Sequence, residues 1–183
     1  MKSNFINRIA IVLFSSILFF SCSSDLDFDQ VDDLVLQPTF VANLAYFTVT
    51  ADQIVDDGSG FPIPPAVEDF DVFKNKFFNE NLIKTEFNFE IENTINRAFE
   101  VDLILLDANN APLETISLNV PTYTGGSNVI KYPAEVFEGE RLVRLKKSVK
   151  IAFVVHIVPG SGTGTISGNL KLKSGAIVYM KIE

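Results

Sequence analysis

Residues 83–92 read Ile83-Lys84-Thr85-Glu86-Phe87-Asn88-Phe89-Glu90-Ile91-Glu92. Ile83, Thr85, Phe87, Phe89 and Ile91 share one side of an extended chain, and Lys84, Glu86, Asn88, Glu90 and Glu92 share the other. A repeat of two is strand geometry, because successive side chains leave a pleated chain on opposite faces. Apolar on one face and polar on the other, such a strand belongs to an antiparallel sheet lying on a core. The reading extends in both directions.

Downstream, after Thr94-Ile95-Asn96-Arg97, residues 99–106 form a more fully apolar strand-like run. Asp107-Ala108-Asn109-Asn110 is turn chemistry, since Asn and Asp tolerate left-handed backbone. A strand at 113–120 follows, and Gly125-Gly126 marks a turn before another at 129–132. Residues 135–147 hold one helical turn or two, with Phe137, Leu142 and Leu145 inward. The second clear strand is 149–158, with Val149, Ile151, Phe153, Val155 and Ile157 on one face. The glycine-rich stretch 159–168 reads as a flexible hairpin loop. It leads to a closing pair of strands, 169–173 and 176–182, turning at Ser174-Gly175.

Upstream, 40–50 is rich in β-formers and reads as the first long strand. Residues 52–65 are a loop, broken by Asp56-Asp57-Gly58 and Pro62-Ile63-Pro64-Pro65. Phe70, Phe73 and Phe77 fall at i, i+3 and i+7, the spacing of a short helix at 69–79, with an extended reading still open. About seven to nine strands with few helices predict a mostly-β fold, an antiparallel β-sandwich with one or two short helices. The segment 87–121 resembles one half of an immunoglobulin-like module. The Cys and Trp landmarks of antibody domains are absent, so the resemblance implies architecture alone.

The first residues have the parts of an export signal. Lys2 and Arg8 make a positive start, residues 9–20 are apolar apart from Ser15 and Ser16, and Ser21 precedes Cys22, the only cysteine. Spanning a bilayer takes about 20 apolar residues, so this run suits a signal segment. On these residues the chain resembles bacterial lipoproteins, which carry a diacylglyceryl group on the cysteine after the signal. Phe19 and Phe20 make the lipobox a relaxed one, as in lipoproteins of the Bacteroidota type. Ser23-Ser24-Asp25-Leu26-Asp27-Phe28-Asp29 resembles their acidic surface-export signal. The resemblance implies a cleaved signal peptide at 1–21, lipidation at Cys22 and an outer-membrane position facing the cell exterior. The mutually repelling Asp25, Asp27, Asp29, Asp32 and Asp33 make 22–33 an acidic tether, and the length and strand pattern of 34–183 suit a single sandwich domain. A lone cysteine fits this, having no disulfide partner.

Without Lys2 and Arg8 the remainder carries 13 basic and 23 acidic residues, a net of −10. That argues against nucleic acid, whose phosphates call for Lys and Arg, and against a second, polybasic membrane contact. With no disulfide available, stability must come from the core, which 17 Phe and abundant Ile, Leu and Val can supply. The chain has no Trp, which weakens a glycan-stacking reading and leaves it to Tyr46, Tyr123, Tyr132, Tyr179 or Phe.

Motifs for chemistry fail one by one. Asp25-x-Asp27-x-Asp29 lacks the EF-hand glycine at Gln30 and the closing Glu at Leu36. Gly160-Ser161-Gly162-Thr163-Gly164 is followed by strand-like residues rather than the helix a phosphate loop needs. His156, the sole histidine, reads as a structural or surface residue. One constellation is worth testing. If the strands on either side of Asn96 form a hairpin with Phe89 facing Leu103, Glu90 lies opposite Asp102 and Glu92 opposite Glu100. Facing carboxylates are destabilising, so this acidic patch would hold a divalent ion or a basic partner. A second acidic group, Asp52, Asp56 and Asp57 with Glu68, Asp69 and Asp71, reads as a solvated loop.

No cofactor motif is legible, and the chain reads as non-enzymatic. Carboxylate-only hydrolysis leaves no motif when folding brings two acids together. The expected function is a membrane-anchored structural or interaction module of the cell envelope, with another envelope protein or a glycan as partner. The alternative is a ligand-binding accessory of an outer-membrane uptake system. A concave face lined by Tyr and Phe would favour the alternative.

Overall fold

The computed structural model describes residues 35–54, 63–162 and 164–182. They contain nine strands: β1 (Thr39–Thr50), β2 (Ile63–Asp69), β3 (Leu82–Asn93), β4 (Phe99–Leu106), β5 (Pro112–Val120), β6 (Val129–Lys131), β7 (Glu135–Phe137), β8 (Lys150–Ile157) and β9 (Asn169–Met180). Helix α1 is Lys76–Asn81 and helix α2 is Gly139–Lys147. Residues Leu36–Ile182 make one compact unit.

The strands pair antiparallel in an order that describes a doubled ribbon: β1 with β9, β2 with β8, β3 with β6 and β7, and β4 with β5. The β4–β5 turn is its tip. The ribbon then rolls, so that β9 also pairs with β3 and β8 with β4. Two sheets result: a five-stranded one ordered β1-β9-β3-β6, with β7 also on β3, and a four-stranded one ordered β2-β8-β4-β5. This is the strand order of a double-sheet jelly roll. The predicted antiparallel sandwich is present. Its strand order differs from the immunoglobulin arrangement, in which the strands divide as ABED and CFG. Alternation within a strand says which face is wet and nothing about which sheet the strand joins.

β3 carries the alternation. Thr85, Phe87, Phe89 and Ile91 are buried as predicted. Ile83 is not: it is 47% exposed and Leu82 is buried instead. The pairing with β9 shifts between Leu82 and Lys84, and a shift of one residue moves a side chain to the other face. Val101, Leu103 and Leu105 of β4 and Ile151, Phe153, Val155 and Ile157 of β8 complete the opposing layer. Phe47 meets Phe153 edge-on at 5.5 Å, joining the two sheets. Burying each such side chain fully contributes about 1.5–3 kcal/mol.

The local signals are also visible. Asp107 accepts from the backbone N–H groups of Asn109 and Ala111 at 2.8 Å each, and Asn110 has φ 62°. That is the left-handed turn expected between β4 and β5. α2 buries Leu142 and Leu145 and ends on Arg144, Lys146 and Lys147, cations that complement a helix C-terminus. The predicted helix at 69–79 divides into a 3-10 turn, Asp71–Lys74, and α1. Asn75 caps α1 by accepting from the N–H of Phe77. That break resets the helical phase, so Phe73 is buried while Phe77 is 46% exposed.

Two expectations at the C-terminal end are overturned. Ser174-Gly175 is no turn: β9 runs unbroken through it, with β1 on one side and β3 on the other. The Ser174 hydroxyl is buried, accepting from the N–H of Ala45 and donating to its carbonyl. Nor is 159–168 a hairpin loop, because β8 and β9 lie in different sheets. The segment crosses between them and is tied down on the way. Ala98 N–H donates to Ser161 Oγ at 3.0 Å, Thr122 Oγ1 donates to Ser161 O at 2.9 Å, and Arg97 Nη2 donates to Gly164 O at 2.9 Å.

Candidate interaction surface

Cys22, the tether at 22–33, Asp56 and Asp57 lie outside the described residues. Glu90 and Glu92 stand on the outer face of the five-stranded sheet, and Glu100 and Asp102 stand on β4 of the other sheet. The hairpin that would have set them face to face does not form, because β3 and β4 belong to different sheets. The polypeptide between them crosses the sandwich instead. Asn93, buried at its start, donates from Nδ2 to the carbonyls of Arg97 and Pro121 and accepts from the N–H of Ile95.

Each carboxylate has another neighbour. Glu90 lies between Lys131 and Lys173, 3.6 Å from each ammonium. Glu92 is 3.5 Å from Lys171 and accepts from Asn128. Asp102 accepts from the Ser117 hydroxyl at 2.5 Å and lies 3.6 Å from His156 Nε2. Glu100 stands in register between Asn119 and His156. Lysines on the strands beside β3 thus neutralise two of the four carboxylates of the expected acidic patch, Glu90 and Glu92. Among the described residues no group of three or more His, Cys, Asp or Glu is placed to hold one.

The outer face of the five-stranded sheet is built in rows. Tyr46, Lys173, Glu90 and Lys131 follow one another across β1, β9, β3 and β6, and Thr48, Lys171, Glu92 and Val129 form the next row. Further along, Lys84 lies 2.7 Å from Glu86 and 5.0 Å from the centre of the Tyr179 ring. The hydrogen bond to Glu86 holds the Lys84 ammonium above the usual lysine range, against a smaller opposing effect of burial. Such exposed pairs stabilise little. They fix the face as a charge-matched lattice.

One row is interrupted. Gly175 stands between Asn43 and Asn88, and without a side chain there the face dips. The depression, about 340 Å³, is bordered by the two asparagines, Glu90, Lys131, Tyr132 and Lys173. A second, of about 360 Å³, adjoins it along Asn43, Leu44, Ala45 and Tyr46. Reading Ser174-Gly175 as a turn concealed this feature in the sequence.

The sheet edges differ sharply. β2 carries Pro64, Pro65, Glu68 and Asp69. β6 and β7 are three residues each, with Pro133 between them. β5 opens with Pro112, and its Asn119 carbonyl is occupied by the Tyr132 hydroxyl at 2.7 Å. Its Glu114 is covered from α2 by Arg141 and Arg144, at 2.5 and 2.9 Å. Proline, charge, shortness and covering are the usual protections of an edge. β1 has twelve residues, Thr39–Thr50, with no proline and no charge, and it exposes Val41 at 80% and Tyr46 at 64%. Of the usual protections it has a bulge, the register shift between Asn43 and Ala45, which leaves residues 45–50 regular. The chain shows this directly as an uncharged run, a signal that becomes meaningful once β1 is known to be an edge.

No family model matches the chain, and no curated protein matches it. Among solved structures, the likenesses include the infectious bursal disease virus Gx strain, at TM-score 0.44 and 9% identity, covering 78% of this chain and 32% of that one. A candidate secreted protein from Parabacteroides distasonis follows at TM-score 0.40 and 15% identity, covering 64% and 38%. The enzymatically active domain of bacteriophage CBA120 tailspike protein 4 gives TM-score 0.34 and 12% identity, covering 80% and 19%. The chain spans well under half the length of each. At these values the likeness carries no inference about activity. No described helix is long and apolar enough to cross a membrane.

Proposed function

We propose that this protein is a lipid-anchored module of a bacterial cell envelope, tethered through Cys22 and working by contact with other molecules rather than by catalysis. The observation that carries the contact reading is the edge strand β1, twelve uncharged residues whose outer side pairs with no other strand among the described residues. A strand edge offers a row of backbone donors and acceptors to a partner strand. The anchoring half rests on Cys22 and the apolar run before it. Replacing Cys22 by serine and fractionating cells tests it: the variant is expected to leave the membrane fraction. Equal membrane retention would end the anchored reading. Protease treatment of intact cells then separates an outward-facing protein, which is cleaved, from an inward-facing one.

A second reading has its own observation, the depression at Gly175. Paired carboxamides, a lysine and an exposed tyrosine beside a gap are groups that suit the hydroxyls and apolar faces of a sugar. Thermal shift with soluble oligosaccharides tests it. A rise in melting temperature that Tyr46→Ala and Asn88→Ala abolish would support glycan binding. No rise with any oligosaccharide would remove it.

A further inference from the structure

We propose that β1 pairs with β1 of a second copy of this chain, antiparallel about a two-fold axis at Phe47, so that two five-stranded sheets become one continuous sheet. The proposal deepens the contact-module reading and rests on it for the choice of surface. The chain carries a formal charge of −8, so two copies repel over most approaches. Along β1 there is no charge to repel.

Ala45 turns both its N–H and its C=O toward Ser174 of β9. Backbone groups alternate sides along a strand, so Tyr46 and Thr48 turn theirs to the open edge. An axis at Phe47 sets Tyr46 opposite Thr48 of the second copy, and Thr48 opposite its Tyr46. Each such pair exchanges two backbone hydrogen bonds and brings an aromatic ring beside a β-branched side chain, a favourable cross-strand pairing. The same axis stands perpendicular to the sheet, so both cores remain on one side.

A foreign strand could use the same backbone groups, but β1 offers it no charge pattern to be recognised by. A second copy brings the same length, the same alternation and the same absence of charge. Strand pairing alone covers less area than a standard interface, so association is weak in dilute solution. Confinement on a common surface would raise the effective concentration.

The test uses the full chain carrying Cys22→Ser, which removes the native thiol. One preparation also carries Tyr46→Cys and the other Thr48→Cys; the native side chains at both positions are exposed. Mixed under mild oxidation, they are expected to form a disulfide-linked dimer about tenfold faster than Tyr46→Cys mixed with an Asn119→Cys control on β5. Sedimentation supplies the second arm. Thr48→Lys is expected to abolish self-association, and adding Tyr46→Glu is expected to restore it, because opposite charges then face each other across the axis. Equal cross-linking rates, a dimer that survives Thr48→Lys, or a double variant no better than the single one would each overturn the proposal. Membrane release by Cys22→Ser is independent of all these results, so anchoring and self-pairing can fail separately.

Discussion

The guanidinium of Arg97 donates to the carbonyl oxygen of Gly164 at 2.9 Å, locking the β8–β9 crossover onto the β3–β4 corner. Arg97 is 5% exposed, and its Nη1 also reaches Asn96 O and Oδ1 at 3.0 and 3.1 Å. A Cβ at Gly162 would collide with the Asn96 carbonyl oxygen, so no side chain fits beneath the clamp. Arg97→Ala strands these acceptors and is expected to cost about 2–4 kcal/mol in chemical denaturation. Gly162→Ala is expected to cost at least about 2 kcal/mol, through steric conflict. A midpoint for either variant equal to the native one would show that the crossover is not held this way.

Thr85 makes the opposite case. Its hydroxyl is the buried side-chain polar atom without a hydrogen-bond partner among the described residues, between Phe137 of β7 and Val178 of β9. Valine has the same shape and no polar atom. Thr85→Val is therefore expected to raise stability by about 1 kcal/mol, read as a higher melting temperature. A fall would mean that the hydroxyl is satisfied in solution.

Glu114 joins α2 to the sandwich. Its side chain is 12% exposed and takes Arg141 Nε at 2.5 Å and Arg144 Nε at 2.9 Å. Arg141 also reaches Glu135 at 2.9 Å and lies 4.6 Å from the centre of the Phe137 ring. Burial lowers the Arg141 pKa, but the bonds to Glu135 and Glu114 outweigh it and hold the guanidinium above the usual arginine range. Glu114→Ala leaves two cations without this acceptor and is expected to cost about 1–3 kcal/mol. Glu114→Gln, which keeps an acceptor, should recover part of that. Equal losses for the two variants would point to packing rather than charge.

Tyr132 sets an alkaline limit. Burial pushes its phenol up to about 12, and the hydroxyl donates to Asn119 O at 2.7 Å. The folded value lies above the unfolded one of about 10. The folded state therefore prefers the neutral phenol. That contribution is complete below about pH 10 and is lost as pH rises through about 12. The stability advantage of the native chain over Tyr132→Phe is expected to shrink across this window. An advantage that stays constant with pH would rule the phenol out as its source.

Gly175 separates a strand from a turn. The ideal Cβ there is 3.4 Å from Ala42 O, and the residue is not in the left-handed region. Alanine therefore fits, and Gly175→Ala is expected to leave stability unchanged or raise it by up to about 1 kcal/mol. A loss beyond about 1 kcal/mol would fit the turn read from the sequence. Glycine after serine is a turn signal only when the chain reverses. Here strands on both sides hold it extended, and that information lies far away in sequence.

The alternation of Phe87, Phe89 and Ile91 with Asn88, Glu90 and Glu92 fixed β3 and its two faces. The same kind of pattern fixed β8, and Asp107 with Asn110 fixed the turn between β4 and β5. These signals are local: the pleat repeats every two residues, and a turn is closed by neighbours along the chain. Three things came from the tertiary structure alone. Rolling the ribbon sent β3 and β4 to different sheets, gave Glu90 and Glu92 to lysines rather than to Asp102 and Glu100, and left β1 at an open edge. Pairing partners are set by contacts between residues far apart in the chain, where loop closure and core packing decide, and no window of sequence contains both sides of such a contact.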